Sequence, residues 1–138
     1  MNEAHENYRQ YLEGLSLDTL NDLSLYVTQD VCFKDPFNNV RGVDAMERIF
    51  HHMFNNMQTV KFRVHKIASE GQVCFMSWRF EGKLRGKGWA FDGASVMRFA
   101  DDGRVAEHTD YWDVGRDFYE HFPIIGTLIA FLRRRLSA

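Results

Sequence analysis

His108, Asp110 and Trp112 follow one another at a spacing of two. On a β-strand that spacing puts all three side chains on one face. An imidazole beside a carboxylate can move a proton there, the carboxylate orienting the ring while the histidine makes the transfer; a structural His-Asp pair or a solvated floor is the plainer reading. Asp35 is a second candidate. It precedes Pro36, which holds it in an extended conformation. At the edge of an apolar space its charged form is disfavoured, which moves a carboxylate towards the range of a general base. Asp-Pro-Phe-Asn-Asn also reads as a turn in which the aspartate bonds its own backbone. Tyr11 carries a phenol that can donate to a developing enolate oxygen, or is a helix-face aromatic whose hydroxyl is satisfied locally.

Other chemistries are poorly supplied. Cys32 and Cys74 are too far apart for a redox pair or zinc knuckle, and two cysteines are too few for a disulfide framework. Both read as buried small hydrophobes. His108 and Asp110 lack a convincing third ligand, so no metal is expected; acid/base chemistry by side chains alone would need no organic cofactor either. His51 and His52 point about 100° apart on a helix and fall off its apolar stripe, which reads as a solvated face. Seventeen Lys and Arg against nineteen Asp and Glu leave a net charge of -2, no field for a nucleic-acid backbone. That balance conceals an acidic first third, with seven acids and two bases in residues 1–35, and a basic sheet, with eight bases and three acids in residues 60–99.

A chain of 138 residues holds one domain of ordinary size. Its twelve Phe, five Tyr and three Trp exceed what such a core needs. Helical spacing at both ends encloses strand alternation. Tyr8, Tyr11, Leu12 and Leu15 mark a first helix over about 3–14. Ser16 is read as the cap of a second, with Leu17, Leu20, Leu23 and Leu25 supplying apolar surface. Val31 to Phe37 is a short extended segment turned back by Asn38-Asn39. Met46, Ile49, Phe50, Met53, Phe54 and Met57 form one buried stripe on a helix over 43–56. Strands follow near 60–69, 72–84, 89–100 and 104–112, with tight turns at Glu70-Gly71 and Asp101-Asp102-Gly103 and a looser one at Arg85-Gly86-Lys87-Gly88. Residues 115–138 form an amphipathic helical extension ending in Arg133-Arg134-Arg135. It is read as a lid, a dimer contact or a helix in weak contact with a membrane surface, in that order. Ile124 to Leu132, broken by Gly126 and Thr127, is far below the ~20 residues that span a bilayer. No secretory signal is visible, and a cytoplasmic protein is expected.

Asp35-Pro36-Phe37 followed by Gly42 and a helix, Val96-Met97-Arg98-Phe99, Asp102-Gly103-Arg104 and Tyr111-Trp112 together resemble the NTF2-like (nuclear-transport-factor-2-like, cystatin-like) superfamily over about residues 5 to 114. Ketosteroid isomerases and SnoaL-like polyketide cyclases are the nearest likeness. The resemblance implies an α+β cone in residues 1–114, a curved antiparallel or mixed sheet wrapped around N-terminal helices with an internal cavity, and a homodimer through the convex sheet face. It puts the isomerase base on Asp35 and the oxyanion-binding tyrosine on Tyr11. Ser95 occupies the slot of the protonated carboxyl and Phe50 that of a supporting tyrosine, two departures that weaken true ketosteroid isomerase activity. As in the cyclases, His108 and Asp110 would face the cavity with Trp112. Phe50, Trp78, Phe80, Phe91, Ser95, Met97 and Trp112 would line it, although in sequence a cavity wall and a core look alike. The implied function is binding of a small hydrophobic molecule, with cofactor-free acid/base chemistry of isomerase, cyclase or lyase type on a carbonyl or polycyclic compound. A non-catalytic ligand-binding or protein-interaction module is the alternative. An epoxide hydrolase would need an Asp-Arg-Asp set, for which Arg79 and Arg98 are the central-strand arginines available, Arg79 reading as outward.

Overall fold

A computed structural model describes residues 2–137. Helix α1 (Glu3–Glu13) starts where the Asn2 side chain accepts a hydrogen bond from the Ala4 amide at 2.7 Å, with Glu3 and Glu6 favourably placed at the positive end of the helix dipole. His5, Tyr8, Tyr11 and Leu12 make its buried face. The second helix expected after Ser16 shrinks to a 3-10 turn (Leu20–Asp22) and one turn of α2 (Leu23–Tyr26). Leu20 and Leu23 are buried, but Leu17 and Leu25 stay exposed. The β-branched Val27 and Thr28 already belong to strand β1 (Val27–Lys34), which is longer than the extended segment read from the sequence.

A tight turn leads to β2 (Asn39–Arg41), and Gly42, at φ 102°, admits helix α3 (Val43–Asn56). Strands β3 (Met57–Glu70), β4 (Val73–Leu84), β5 (Lys87–Phe99) and β6 (Val105–Tyr111) form the expected meander. The turn between β4 and β5 is tighter than expected. Leu84 pairs with Lys87 across Arg85 and Gly86, both at positive φ, as a two-residue hairpin requires.

The six strands lie in the order β2-β1-β6-β5-β4-β3. β1 runs parallel to β6 and every other pair is antiparallel, so the sheet is mixed. Register shifts interrupt the β1–β6, β3–β4 and β5–β6 ladders, and such bulges bend a sheet. Tyr8 and Leu12 of α1 and Met46 of α3 share a core with Phe33, Met76, Trp78 and Met97 of the sheet. On α3 Val43 and Met46 are buried; Ile49, Phe50, Met53 and Phe54 are half-buried. The stripe is therefore not the continuous buried one expected, because most of it borders a cavity. Cys74 is buried and its thiol pKa is pushed up to about 11 by that burial, which makes it inert, whereas Cys32 is half-buried rather than buried.

His5 is fully buried, its ring 4.3 Å from that of Phe99, and neither ring nitrogen has a hydrogen-bond partner among the described residues. Burial lowers its pKa below the ordinary 6.5. The unfolded chain therefore takes up this proton first as the pH falls. His5's contribution is whole above pH 6.5 and is lost as acid is added below it. His5→Phe is expected to flatten that acid limb in thermal melts and to raise stability by about 1 kcal/mol by removing two unpaired polar atoms. An unchanged acid limb would refute this origin.

Beyond Trp112 the chain forms the short α4 (Val114–Asp117), a 3-10 turn (Tyr119–His121) and α5 (Ile125–Leu136). No helix among the described residues is long and apolar enough to cross a membrane.

Candidate active site

A cavity of about 490 Å³ opens between α1, α3 and the sheet. Of the residues expected at it, Asp35, Phe50, Trp78, Phe80, Phe91, His108, Asp110 and Trp112 do line it. The aromatic wall is continuous. Phe91 stacks on Trp112 with ring centroids 4.3 Å apart and on Phe80 at 5.0 Å, and Trp89 meets Phe91 at 4.8 Å. Phe33 and Phe62, which the sequence did not single out, line it too. All three tryptophans of the chain, Trp78, Trp89 and Trp112, border this space.

Sheet register assembles the polar part. Ser95 lies directly opposite Asp110, Met97 opposite His108, and Trp78 opposite Gly93, so Trp78 reaches Ser95 on the diagonal. The result is one hydrogen-bonded chain. Trp78 Nε1 donates to Ser95 Oγ at 2.8 Å, and Ser95 Oγ donates to Asp110 Oδ1 at 2.5 Å. His108 Nε2 lies 2.6 Å from the same oxygen, and the Tyr8 hydroxyl lies 2.8 Å from His108 Nδ1. Directionality follows from the ends. The indole can only donate, so the Ser95 proton is left for Asp110. The carboxylate accepts from Nε2–H, which leaves Nδ1 as the acceptor for Tyr8. Burial raises the Tyr8 pKa well above the ordinary phenol value and keeps that proton in place.

His108 is only 2 % exposed and both its nitrogens are engaged in hydrogen bonds. The Asp110 side chain is 20 % exposed, and its Oδ2 accepts no hydrogen bond from the described residues.

Asp35 sits in a turn at the edge of the cavity. Its Oδ1 accepts from the amides of Phe37 at 2.8 Å and Asn38 at 2.7 Å and from Asn38 Nδ2 at 3.0 Å, an aspartate turn. It also borders the cavity, and its pKa is raised by burial, with the Asp110 charge adding to the effect against the lowering by these hydrogen bonds.

Three expectations are corrected. Tyr11 does not border the cavity: its hydroxyl donates to the Thr19 carbonyl at 3.0 Å and its ring stacks on Tyr26 at 4.1 Å. The tyrosine tied to the site is Tyr8, on the same helical face one turn earlier, a position legible only as core. Met97 is completely buried in the core rather than on the wall. Ser95 makes no room for ligand; it is 1 % exposed and links Trp78 to Asp110. Arg79 pairs outside with Glu81 and Asp92, and Arg98 with Glu107, so neither stands between Asp35 and Asp110.

The fold is of the NTF2-like class. An NTF2-like protein of unknown function from Burkholderia pseudomallei superposes with a TM-score of 0.73 at 15% identity, covering 100% of both chains. A putative SnoaL-like polyketide cyclase from Jannaschia gives 0.70 at 14% identity over 80% of this chain and 86% of that one. An LEH-like epoxide hydrolase from M. tuberculosis gives 0.68 at 19% identity over 98% and 91%. At such identities these likenesses carry the fold alone. No curated protein matches in sequence. The sequence model of the SnoaL-like domain matches residues 8–108, and the chain belongs to that family.

Proposed function

We propose that the protein binds a small hydrophobic carbonyl or polycyclic compound in the cavity and catalyses proton transfer on it, with Asp110 as the base. One observation carries this reading. Asp110 Oδ1 accepts from two donors, while Oδ2 has no partner among the described residues and the residue borders an apolar space. A carboxylate held this way is fixed in direction and has one oxygen left for a substrate C–H proton. His108, Ser95, Trp78 and Tyr8 are positioning residues behind it. Asp35 is the second carboxyl; burial and the Asp110 charge favour its protonated form, which can return a proton or donate to an enolate oxygen. Tyr11 has no part in this scheme, since its hydroxyl is engaged elsewhere. The reaction uses the chain's own side chains. Among the described residues none beyond Trp112 lines the space, so the C-terminal helix does not fill it.

The three cavity tryptophans make a binding assay available without a label. With 2-tetralone, a two-ring ketone, the protein is expected to show quenched tryptophan fluorescence and, in deuterated buffer, α-proton exchange faster than buffer alone by nuclear magnetic resonance. Quenching without exchange would leave a ligand-binding protein and overturn the catalytic half. Neither signal across a series of cyclic ketones would overturn both.

A further inference from the structure

We propose that α5 docks the protein on an anionic lipid surface. The helix is held to the domain by one side. Gly126 packs so closely on the preceding turn that a Cβ there would lie 2.3 Å from the Glu120 carbonyl oxygen, and Arg133, two turns later, pairs with the Glu120 carboxylate at 2.9 Å. The opposite arc carries Ile124, Ile125, Leu128, Phe131, Leu132 and Leu136, between 49% and 88% exposed. Their spacing makes one apolar stripe. None of them belongs to the buried core or lines the cavity.

Charge selects the occupant. No acidic side chain follows Glu120, whose carboxylate Arg133 already takes, while Arg134 and Arg135 extend the same end. Arg135 lies over the Phe131 ring at 5.9 Å, a guanidinium at the C-terminal end of the apolar stripe's own face. A second copy of this helix fits poorly. Packed parallel, two arginine clusters would meet; packed antiparallel, each would meet the uncharged residues around Ile124. Lipid phosphates at the end of an apolar face satisfy both parts. At 12 residues, about 18 Å, the helix lies on the surface rather than spanning it.

The attachment lies at the cavity rim. Trp89 Nε1 donates to the Asp117 carbonyl at 2.5 Å, and the Phe118 ring meets Phe37 at 5.0 Å and Trp89 at 5.5 Å. Docking through α5 therefore holds the cavity near the phase in which hydrophobic compounds concentrate.

Flotation of the full chain with phosphatidylglycerol or phosphatidylcholine vesicles tests this. Binding is expected to favour phosphatidylglycerol by at least about tenfold at low salt, from two arginines at roughly 1 kcal/mol each, and to weaken as salt is added. Arg134→Gln with Arg135→Gln should abolish the preference. Leu128→Asp with Phe131→Asp should abolish binding while circular dichroism and ketone-induced quenching stay unchanged, since these side chains are exposed. A folded wild-type chain that ignores phosphatidylglycerol vesicles overturns the proposal. So does a dimer by light scattering that the Leu128→Asp and Phe131→Asp changes split, because the face would then belong to a second copy.

Discussion

Asp110→Asn is expected to slow cavity-dependent α-proton exchange by about 10²- to 10⁴-fold, the usual contribution of a positioned general base, while folding and ketone-induced quenching persist. The expected outcome follows from which oxygen does what. Ser95 Oγ–H and His108 Nε2–H both point at Oδ1. An asparagine must present its carbonyl oxygen there, because its amide would face two donors. The amide nitrogen is thereby fixed in the Oδ2 position, where it cannot accept a proton. Shape and the hydrogen-bonded chain survive, and basicity is lost. Asp35→Asn should cost much less, since its main structural task, accepting backbone amides at Oδ1, passes to the asparagine oxygen. A rate for Asp110→Asn within threefold of wild type, or a larger loss with Asp35→Asn, would reverse the assignment.

Gly93→Ala should destabilise the fold by about 1–3 kcal/mol, the ordinary cost of overpacking a dense interior, and slow exchange as well. A Cβ at residue 93 would stand 2.4 to 2.9 Å from three atoms of the Trp78 ring. The indole is 3 % exposed and has to move. Moving it takes Nε1 from Ser95, which lets the serine turn its proton away from Asp110. Ser95→Ala separates the two effects, because it breaks the chain without crowding the ring. Denaturant melts and exchange rates of both variants provide the check. Gly93→Ala with unchanged stability would mean that the ring has room that its surroundings do not show.

Periodicity carried most of the fold. The 43–56 helix and the four-strand meander appear where their spacing put them, because each shows one face to a core and the other to water. The segment after Ser16 failed for the same reason. Its leucines recur at helical intervals, but only Leu20 and Leu23 find a surface to cover. The His108–Asp110 pair was legible, since two ionisable groups on one strand face need a partner. Its continuation through Ser95 to Trp78 was not, because that depends on cross-strand register, which the hairpin lengths fix and the composition does not. Tyr8 was hidden by its own suitability as core. Nothing in α1 says which of two phenols one turn apart will meet a histidine a hundred residues away.

The single parallel pairing in the sheet divides the site by order of assembly. β3 to β6 follow one another through short turns, so Trp78, Ser95, His108 and Asp110 come together by closing small loops. β1 joins β6 only by bringing Phe33 beside His108 across most of the chain. Loop closure of that length costs more entropy and is the slower event. The Trp78–Ser95–Asp110–His108 part of the hydrogen-bonded chain thus depends on contacts between strands adjacent in sequence, while Tyr8 and Asp35 arrive with distant ones.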